Sequence, residues 1–267
     1  MTYPSDDVRA RLRTDRPHSA RVWNYLLGGK DNYPVDSQAG DVILSTFPEF
    51  AAVAQVQRRF LARAVRFLAG EAGIRQFLDI GTGLPTADNT HEVAQRIAPE
   101  SRVVYVDNDP LVLVHAQALL TSSAEGACAY LDADVRDPEH ILAEAAKTLD
   151  LTRPVALTLL GILGQVSDAE RPGELVRTLM AGLPAGSYLA LSDGIDTNVA
   201  LNTAVGAYNG QSANTYHLRS PETIASFFTG LEPVEPGVVS TVTWRPDTGR
   251  PQEDTAEVSV CGVARKN

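Results

Sequence analysis

From residue 75 onward, short apolar runs alternate with longer amphipathic stretches. The apolar runs cover residues 75–80, 102–107, 127–134, 154–161 and 186–193. Several of them are apolar at successive positions, as expected for strands covered on both faces, and they start about 25–32 residues apart, the spacing of βαβ units. The pattern therefore predicts five parallel strands, joined by helices over residues 88–98, 109–120, 138–149 and 170–183.

The C-terminal part of the chain has a different pattern. Helices are predicted over 197–209 and 220–228. Two β-rich runs follow, 237–246 and 255–266, and the polar loop between them contains Pro and Gly, which predicts an antiparallel hairpin. The expected fold class is α/β, with a doubly wound, mostly parallel seven-stranded sheet that is Rossmann-like and ends in a C-terminal antiparallel hairpin.

The region before the first strand is predicted to be helical. Apolar side chains at steps of three and four indicate an amphipathic helix over 49–69; they are Val53, Val56, Phe60, Ala64 and Phe67. A shorter helix is predicted over 19–27, where Gly28 and Gly29 would end it. Residues 1–17 are polar and charged, which is typical of a loosely held arm and not of a signal peptide.

No internal repeat and no long linker divides the chain. We therefore predict one domain over 1–267, in which residues 1–70 form an N-terminal helical cap and residues 71–267 form the Rossmann-like core. A length of 267 residues is sufficient for one large α/β domain.

Composition and charge narrow the classes of partner. The net charge of −10 disfavours a nucleic-acid substrate, because an acidic surface repels phosphate backbones. No run approaches the ~18 apolar residues of a membrane helix, so no membrane partner is expected. The two cysteines, Cys128 and Cys261, are expected to be buried thiols, which favours the cytoplasm. None of the five histidines has a Cys or carboxylate partner at metal-ligand spacing, so no metal site is expected.

Two strand ends carry the candidate chemistry. The first predicted strand runs directly into Gly81, Thr82 and Gly83, and the second ends at Asp107. In a doubly wound sheet these two ends lie side by side, at the crevice where nucleosides bind. Glycines let a backbone approach a ligand closely, and a carboxylate can accept hydrogen bonds from both hydroxyls of a ribose.

The loop itself distinguishes between two cofactors. A dinucleotide fold requires a third glycine, but Thr86 stands at that position. An acid two residues before the first glycine, here Asp79, instead suits the acid-x-G-x-G loop of enzymes that use S-adenosylmethionine (SAM). The ammonium of SAM binds to carbonyl and carboxylate oxygens, whereas the pyrophosphate of NAD binds at a helix N-terminus. A tight turn without any ligand is the structural alternative.

Further cofactor contacts follow from the ends of the next strands. Asn108 lies beside Asp107 and is expected to meet the adenosine. Asp134 and Val135 follow the third strand, where a carboxylate can accept from the adenine amine while the next backbone N–H reaches a ring nitrogen. Asp109 is better explained as the N-cap of the following helix, because Pro110 suits its first position.

Several segments resemble a family of bacterial SAM-dependent methyltransferases, the DUF574 group. They are SARVWNYLLGGKDNY (19–33), QFLDIGTGLPTADNTHEVAQ (76–95), RVVYVDNDPLVL (102–113), LDADVRDPE (131–139) and PVALTLLGIL (154–163). The resemblance implies a class I methyltransferase fold, SAM as cofactor and a small-molecule methyl acceptor. It also implies that residues 19–33 fold over the cofactor as a lid. Tyr25, Lys30 and Asp31 would then face the ligand, and Trp23 and Leu27 would lie in the core.

The acceptor side departs from the family pattern at two positions. Relatives tend to carry a His followed by an aromatic residue where this chain has Gly164 and Gln165, and Ser-His where it has Ser192 and Asp193. Without these histidines the acceptor side lacks the usual proton acceptors near pH 7, so either the acceptor differs or Asp193 acts as the catalytic base. The alternative is a non-catalytic SAM-binding regulatory module. An NAD-dependent oxidoreductase is disfavoured by the loop.

Overall fold

Five parallel strands form the centre of the molecule in the computed structural model, which describes residues 12–119, 121–212, 214–247 and 256–267. They are β1 (Gln76–Ile80), β2 (Arg102–Asp107), β3 (Ala127–Asp132), β4 (Ala156–Leu160) and β5 (Tyr188–Gly194). They lie in the order β3, β2, β1, β4, β5, so the chain reverses direction across the sheet between β1 and β4. The predicted parallel sheet is confirmed.

Helices precede, separate and follow these strands. They are α1 (Ser19–Leu26), α2 (Pro34–Thr46), α3 (Phe50–Arg66), α4 (Thr90–Ile97), α5 (Pro110–Leu119), α6 (Pro138–Ala145), α7 (Pro172–Ala181), α8 (Val199–Asn209) and α9 (Pro221–Ser226). A π-helical turn, Phe67–Glu71, extends α3. None of the helices in the described ranges has the length and apolar character needed to cross a membrane.

The C-terminal edge of the sheet is antiparallel, but it differs from a simple hairpin. Strand β8 (Ser259–Arg265) pairs with β5, and two short strands, β6 (Glu232–Pro233) and β7 (Val239–Ser240), share the far side of β8. Within the described residues, the sheet therefore has eight strands. The prediction of one strand over 237–246 was wrong beyond Ser240. Residues 248–255, which comprise most of the predicted loop and the first residue of the second predicted strand, lie outside the described residues.

The residues after β7 form turns because they bury a tryptophan. Trp244 is fully buried, and its ring makes edge contacts with Phe60 at 5.5 Å and Phe67 at 6.0 Å between centroids. Arg63 of α3 donates from Nε to the carbonyl oxygen of Trp244 at 2.9 Å and from a terminal nitrogen to that of Thr241 at 2.5 Å. The burial of one large aromatic side chain thus outweighs the β propensity of this stretch.

Both faces of β1, β2, β4 and β5 are largely buried, as their continuous apolar runs predict, whereas the edge strand β3 is partly buried. Leu78 and Val104 belong to the core on one face, and Phe77 and Val103 belong to the core on the other. These residues are paired across β1 and β2, Phe77 with Val103 and Leu78 with Val104. The fixed register brings the ends of β1 and β2 to the same edge of the sheet.

A third apolar cluster joins the N-terminal helices to α8. It contains Val22 of α1, Ile43 of α2, Val53 of α3 and Leu201 of α8. Helix α2 was not predicted, because its apolar stripe is short and interrupted by Gly40. Of the predicted N-terminal arm, residues 1–11 lie outside the described residues. The helices of the N-terminal region thus cover the carboxyl edge of the sheet.

Candidate functional site

The glycine loop after β1 lies against the end of β2. Gly81 has φ +75° and Gly83 has φ +67°, backbone conformations that favour glycine. A Cβ on Gly81 would lie 2.8 Å from the side chain of Ile162, so this position also requires a close approach. The Gly81 N–H donates to the carbonyl oxygen of Val106 at 2.8 Å. This bond fixes the loop, including Thr82, at the wall of a cavity.

Asp107 lies at the end of β2 and faces this loop. One carboxylate oxygen accepts from the N–H of Gly83 at 2.9 Å, and the other accepts from the N–H of Asp109 at 3.0 Å. Burial raises the pKa of Asp107. Each oxygen has a further lone pair, and Asp107 lines the cavity. The carboxylate is thus oriented by main-chain donors and can accept hydrogen bonds from a ligand.

Asp79 is the buried acid of the glycine loop. Its Oδ1 accepts from the Thr158 hydroxyl at 2.7 Å, and its Oδ2 accepts from the Thr90 hydroxyl at 2.6 Å and from that of Thr82 at 3.5 Å. Burial raises its pKa, and these threonine bonds oppose the shift. Asp79 lines the cavity, but its oxygens already have partners. It therefore fixes the loop in addition to any contact with a ligand.

The residues predicted for adenine lie together across the ends of β2 and β3. The Asn108 side-chain amide donates to Oδ2 of Asp134 at 2.9 Å, and the backbone N–H of Arg136 donates to Oδ1 at 2.9 Å. Val135 is buried in the core and lines the cavity together with Asn108, Asp134 and Arg136. Arg136 also donates to Glu170 at 2.5 Å, which ties this end of the cavity to the loop after β4.

The three residues predicted on the lid lie elsewhere. Tyr25 packs against Gly40 of α2 and donates its hydroxyl to Asp41 at 2.5 Å. Lys30 is exposed, and the carboxylate of Asp31 lies 3.7 Å from His115. None of Tyr25, Lys30 and Asp31 is among the residues that line the cavity. The expected orientation of this segment is corrected, because packing on the unpredicted helix α2 draws Tyr25 outward.

The opposite side of α1 faces the cavity instead. Trp23 and Leu27, expected to lie in the core, pack against the third apolar cluster and also line the cavity. Because α1 packs on the unpredicted helix α2, the side of α1 that faces the cavity differs from the predicted one. The N-terminal helices do cover the cavity, and Trp23 and Leu27 are among the side chains that face it.

A buried ionic cluster joins this cap to the end of β2. Nε of Arg21 lies 3.3 Å from Asp109 and 3.6 Å from Asp36, and Nδ1 of His18 lies 3.1 Å from Asp109. The Leu111 N–H donates to Oδ1 of Asp109 at 2.9 Å, so the predicted N-cap role of Asp109 is confirmed. Asp109 thus caps α5 with one oxygen and holds α1 with the other.

Arg58 of α3 is a cavity residue that sequence reasoning missed. It donates to the carbonyl oxygens of Ala87 at 3.1 Å and Asp88 at 3.3 Å, while its buried Nε has no hydrogen-bond partner. Burial lowers its pKa. The helix carries further arginines at 59, 63 and 66, and only the fold shows which of them reaches the cavity.

Asp193 lies behind the cavity wall and does not line it. Its Oδ1 accepts from the hydroxyl of Tyr216 and from the N–H of Gly194, and its Oδ2 is buried without a hydrogen-bond partner. Burial raises the pKa of Asp193 to about 6. Tyr216 and Gly194 do line the cavity. Asp193, the candidate base, is therefore connected to the cavity through the hydroxyl group of Tyr216.

The cavity that these residues line has a volume of about 560 Å³. This size is typical of small-molecule sites, which span about 300–1,000 Å³. Asp107 can accept from ribose hydroxyls, and the Nε–H of Arg58, which has no hydrogen-bond partner, can donate to an amino-acid carboxylate. The residues present therefore fit SAM. Among the described residues, no group of three His, Cys, Asp or Glu side chains could hold a metal ion.

Comparison with known proteins agrees with this geometry. A family model described as S-adenosyl methyltransferase matches residues 5–267. A DUF574 family protein from Streptomyces avermitilis MA-4680 is 46% identical, with a TM-score of 0.90 over 96% of this chain and 100% of that one. A proposed methyltransferase from Thermobifida fusca YX is 39% identical, with a TM-score of 0.88 over the whole of both chains. No curated protein matches the chain.

More distant structures share the fold alone. A SAM-dependent methyltransferase from Anabaena variabilis ATCC 29413 is 13% identical, with a TM-score of 0.51 over 76% of this chain and 83% of that one. The match of the family model, by contrast, spans nearly the whole chain and includes the cap, the glycine loop and the β8 edge. This chain thus belongs to the S-adenosyl methyltransferase family, and it is a SAM-dependent methyltransferase.

Proposed function

We propose that this protein methylates a small molecule that is enclosed between the helical cap and the carboxyl edge of the sheet. The support is the position of the cavity, which lies between the ends of β1, β2 and β4 and the apolar side of α1. The enclosing helices would exclude water and hold the acceptor against the cofactor. A cofactor bound there supplies an electrophilic methyl group on a sulfonium.

The roles of the binding residues follow from their surroundings. Asp107 would accept from the ribose hydroxyls, and the loop of Gly81, Thr82 and Gly83 would lie under the amino-acid part of the cofactor. Asp79 would hold that loop and attract the ammonium, while Arg58 would bind the carboxylate. Asn108, Asp134 and Val135 would surround the adenine. The orientation of Asp107 by the Gly83 N–H is the observation that carries this proposal, since it joins the acid and the loop in one site.

We also propose that the chain is one cytoplasmic domain. The third apolar cluster supports the single domain, since it combines residues of the cap with Leu201 and Val258 of the core. Cys128 and Cys261 are both unpaired, as in proteins from reducing compartments. The net charge of −10 supports a substrate other than nucleic acid.

Calorimetric titration with S-adenosylhomocysteine tests the central role of Asp107. Asp107→Ala should lower the affinity about 100-fold or more, because each hydrogen bond to a charged group contributes about 1.5–3 kcal/mol. Asp132→Ala is the matched control, since Asp132 occupies the paired position on β3, is exposed and does not line the cavity. NAD should not bind. Equal affinity of Asp107→Ala and the wild-type protein would contradict the assignment.

Loss of methyl from radiolabelled SAM in a mixture of metabolites separates an enzyme from a binding module. We expect transfer to an extractable small molecule. Binding of S-adenosylhomocysteine without transfer to any fraction would instead favour the regulatory alternative.

A further inference from the structure

The cavity has two halves of opposite chemistry. Charged lining residues gather around the ends of β1, β2 and β3 and comprise Arg58, Asp79, Asp107, Asp134, Arg136 and Glu170. A second group of lining residues, here termed the apolar pocket, consists of Trp23, Phe50, Val53, Leu201, Val205 and Leu218. These six side chains pack in or against one apolar cluster. The charged half accounts for the groups of the cofactor, so the apolar pocket is left for the acceptor.

Tyr216 stands where the apolar pocket meets the sheet. Its ring packs against the same apolar cluster, and the residue lines the cavity. Its hydroxyl donates to Asp193 and accepts from the Gly194 N–H at 3.4 Å. One lone pair of the phenol oxygen is left to accept from a ligand. Tyr216 thus places a hydroxyl group at the boundary of the apolar pocket.

Two features fix the position of this phenol. Asn209 donates to the carbonyl oxygen of Tyr216 at 2.8 Å and accepts from its N–H at 2.7 Å, so one amide side chain holds both main-chain groups. A Cβ on Gly164 would lie 2.3 Å from Cζ of Tyr216, so the ring can occupy this place only because residue 164 is glycine. Gly164 and Asp193, the two departures from the family pattern, therefore meet at one side chain.

We propose that the methyl acceptor is an uncharged hydroxyl compound with an apolar body, which lies in the apolar pocket and donates its hydroxyl to Tyr216, with Asp193 as the final proton acceptor. This inference rests on the proposed function and specifies its substrate class. An anionic acceptor is disfavoured, because a carboxylate in a pocket without a cation would lose its hydration without compensation.

Methyl transfer to the acceptor oxygen is coupled to the loss of the proton on that oxygen. As the acceptor oxygen forms its bond to the methyl carbon, the carbon–sulfur bond breaks and the sulfur keeps the electron pair. The acceptor proton passes to the oxygen of Tyr216, and the Tyr216 proton passes to Asp193, which becomes neutral. Burial raises the pKa of Asp193 to about 6, close to the value that suits a base at neutral pH, and raises that of Tyr216 well above its usual range. Tyr216 therefore transfers the proton without remaining ionised.

Equilibrium dialysis with two ligands of the same body tests the substrate class. The protein is saturated with S-adenosylhomocysteine, and 2-naphthol is compared with 2-naphthoate. We expect the wild-type protein to bind 2-naphthol at least tenfold more tightly. Val205→Trp should lower the 2-naphthol affinity at least tenfold, and Val205→Phe should lower it less. Val199→Trp is the matched control on the same helix, since Val199 is 79% exposed and does not line the cavity.

A second comparison tests Tyr216. The wild-type protein should prefer 2-naphthol over 2-methylnaphthalene about tenfold, the size of one hydrogen bond. Tyr216→Phe should abolish this preference without changing the affinity for 2-methylnaphthalene. Tyr188→Phe should retain it, because Tyr188 lies at the opposite end of β5 and packs against Phe67. A positioning role alone would lower both affinities together.

The affinity for S-adenosylhomocysteine is measured for every variant and shows whether each protein folds. If the wild-type protein did not bind S-adenosylhomocysteine, the proposed function would be contradicted. The naphthols are also titrated without cofactor, so that this failure can be distinguished from a failure of the acceptor assignment. No 2-naphthol binding, equal binding of 2-naphthoate, or an unchanged preference in Tyr216→Phe would overturn the inference made here.

Discussion

The two sides of the cavity differ in what positions their side chains. On the sheet side, Asp107 is held by the N–H groups of Gly83 and Asp109, and all three lie at or next to the ends of β1 and β2. On the cap side, Trp23 faces the cavity only because α1 packs between α2 and α3. The sheet side therefore depends on strand order and local turns, whereas the cap side depends on the packing of helices that are distant in sequence.

The largest expected effect concerns the link between the two sides. Arg21→Met removes the buried cation that lies between the carboxylates of Asp36 and Asp109, which should lower the free energy of unfolding by about 3–5 kcal/mol. Urea denaturation measures it. Arg13→Met is the control, because Arg13 forms an exposed pair with Asp15 and its loss should leave the free energy of unfolding almost unchanged. Equal effects of the two variants would show that the cluster does not hold the cap.

The next effect tests the burial of Asp193 on the sheet side. Burial raises its pKa to about 6, so between about pH 4 and 6 the folded protein keeps a proton that the unfolded chain has released. The free energy of unfolding of the wild-type protein should therefore fall by about 2–3 kcal/mol relative to Asp193→Asn as the pH rises from 4 to 7. Urea titrations at a series of pH values measure this difference. A difference that stays constant with pH would refute the assignment.

A smaller effect is expected on ligand affinity when Arg58 is replaced, because Arg58 would bind the amino-acid part of the cofactor beneath the cap. Arg58→Met should weaken S-adenosylhomocysteine binding about 10- to 100-fold, the loss of about 1.5–3 kcal/mol expected for a hydrogen bond to a charged group. Binding of 5′-methylthioadenosine should not change, because this ligand lacks the carboxylate. Arg59→Met, at a position that does not line this cavity, is the control. Equal weakening of both ligands would indicate a general effect on the cap.

The smallest effect tests the side of α1 that faces outward. Tyr25→Phe removes the hydrogen bond to Asp41 and should cost about 1 kcal/mol of stability. The affinity for S-adenosylhomocysteine should stay within about twofold, because Tyr25 does not line the cavity. Calorimetry and thermal unfolding of the same samples report both values. A tenfold loss of affinity would instead indicate that Tyr25 contacts the bound ligand.

The sheet side of the cavity could be predicted from the sequence, whereas most of the cap side could not. Asp107 and the glycine loop follow from local patterns, because a strand that ends in a turn determines where the next side chain points. Tyr25 was misplaced because its partner, Gly40, lies on a helix whose apolar stripe is too short to recognise. Arg58 and Tyr216 could not be singled out, since their roles depend on contacts with Ala87 and Asp193 that only the fold creates.

The position of Asp109 connects ligand affinity with the mobility of the cap. Asp107 and Asp109 are two residues apart and share a hydrogen bond, and Asp109 contacts both His18 and Arg21 of the cap. By thermodynamic linkage, any molecule that binds only while the cap is docked must lower the population of the locally open form. A variant that favours the open form must in turn bind that molecule more weakly. Protection of the α1 backbone amides from hydrogen exchange should therefore increase when a ligand occupies the crevice, even where these amides do not contact the ligand.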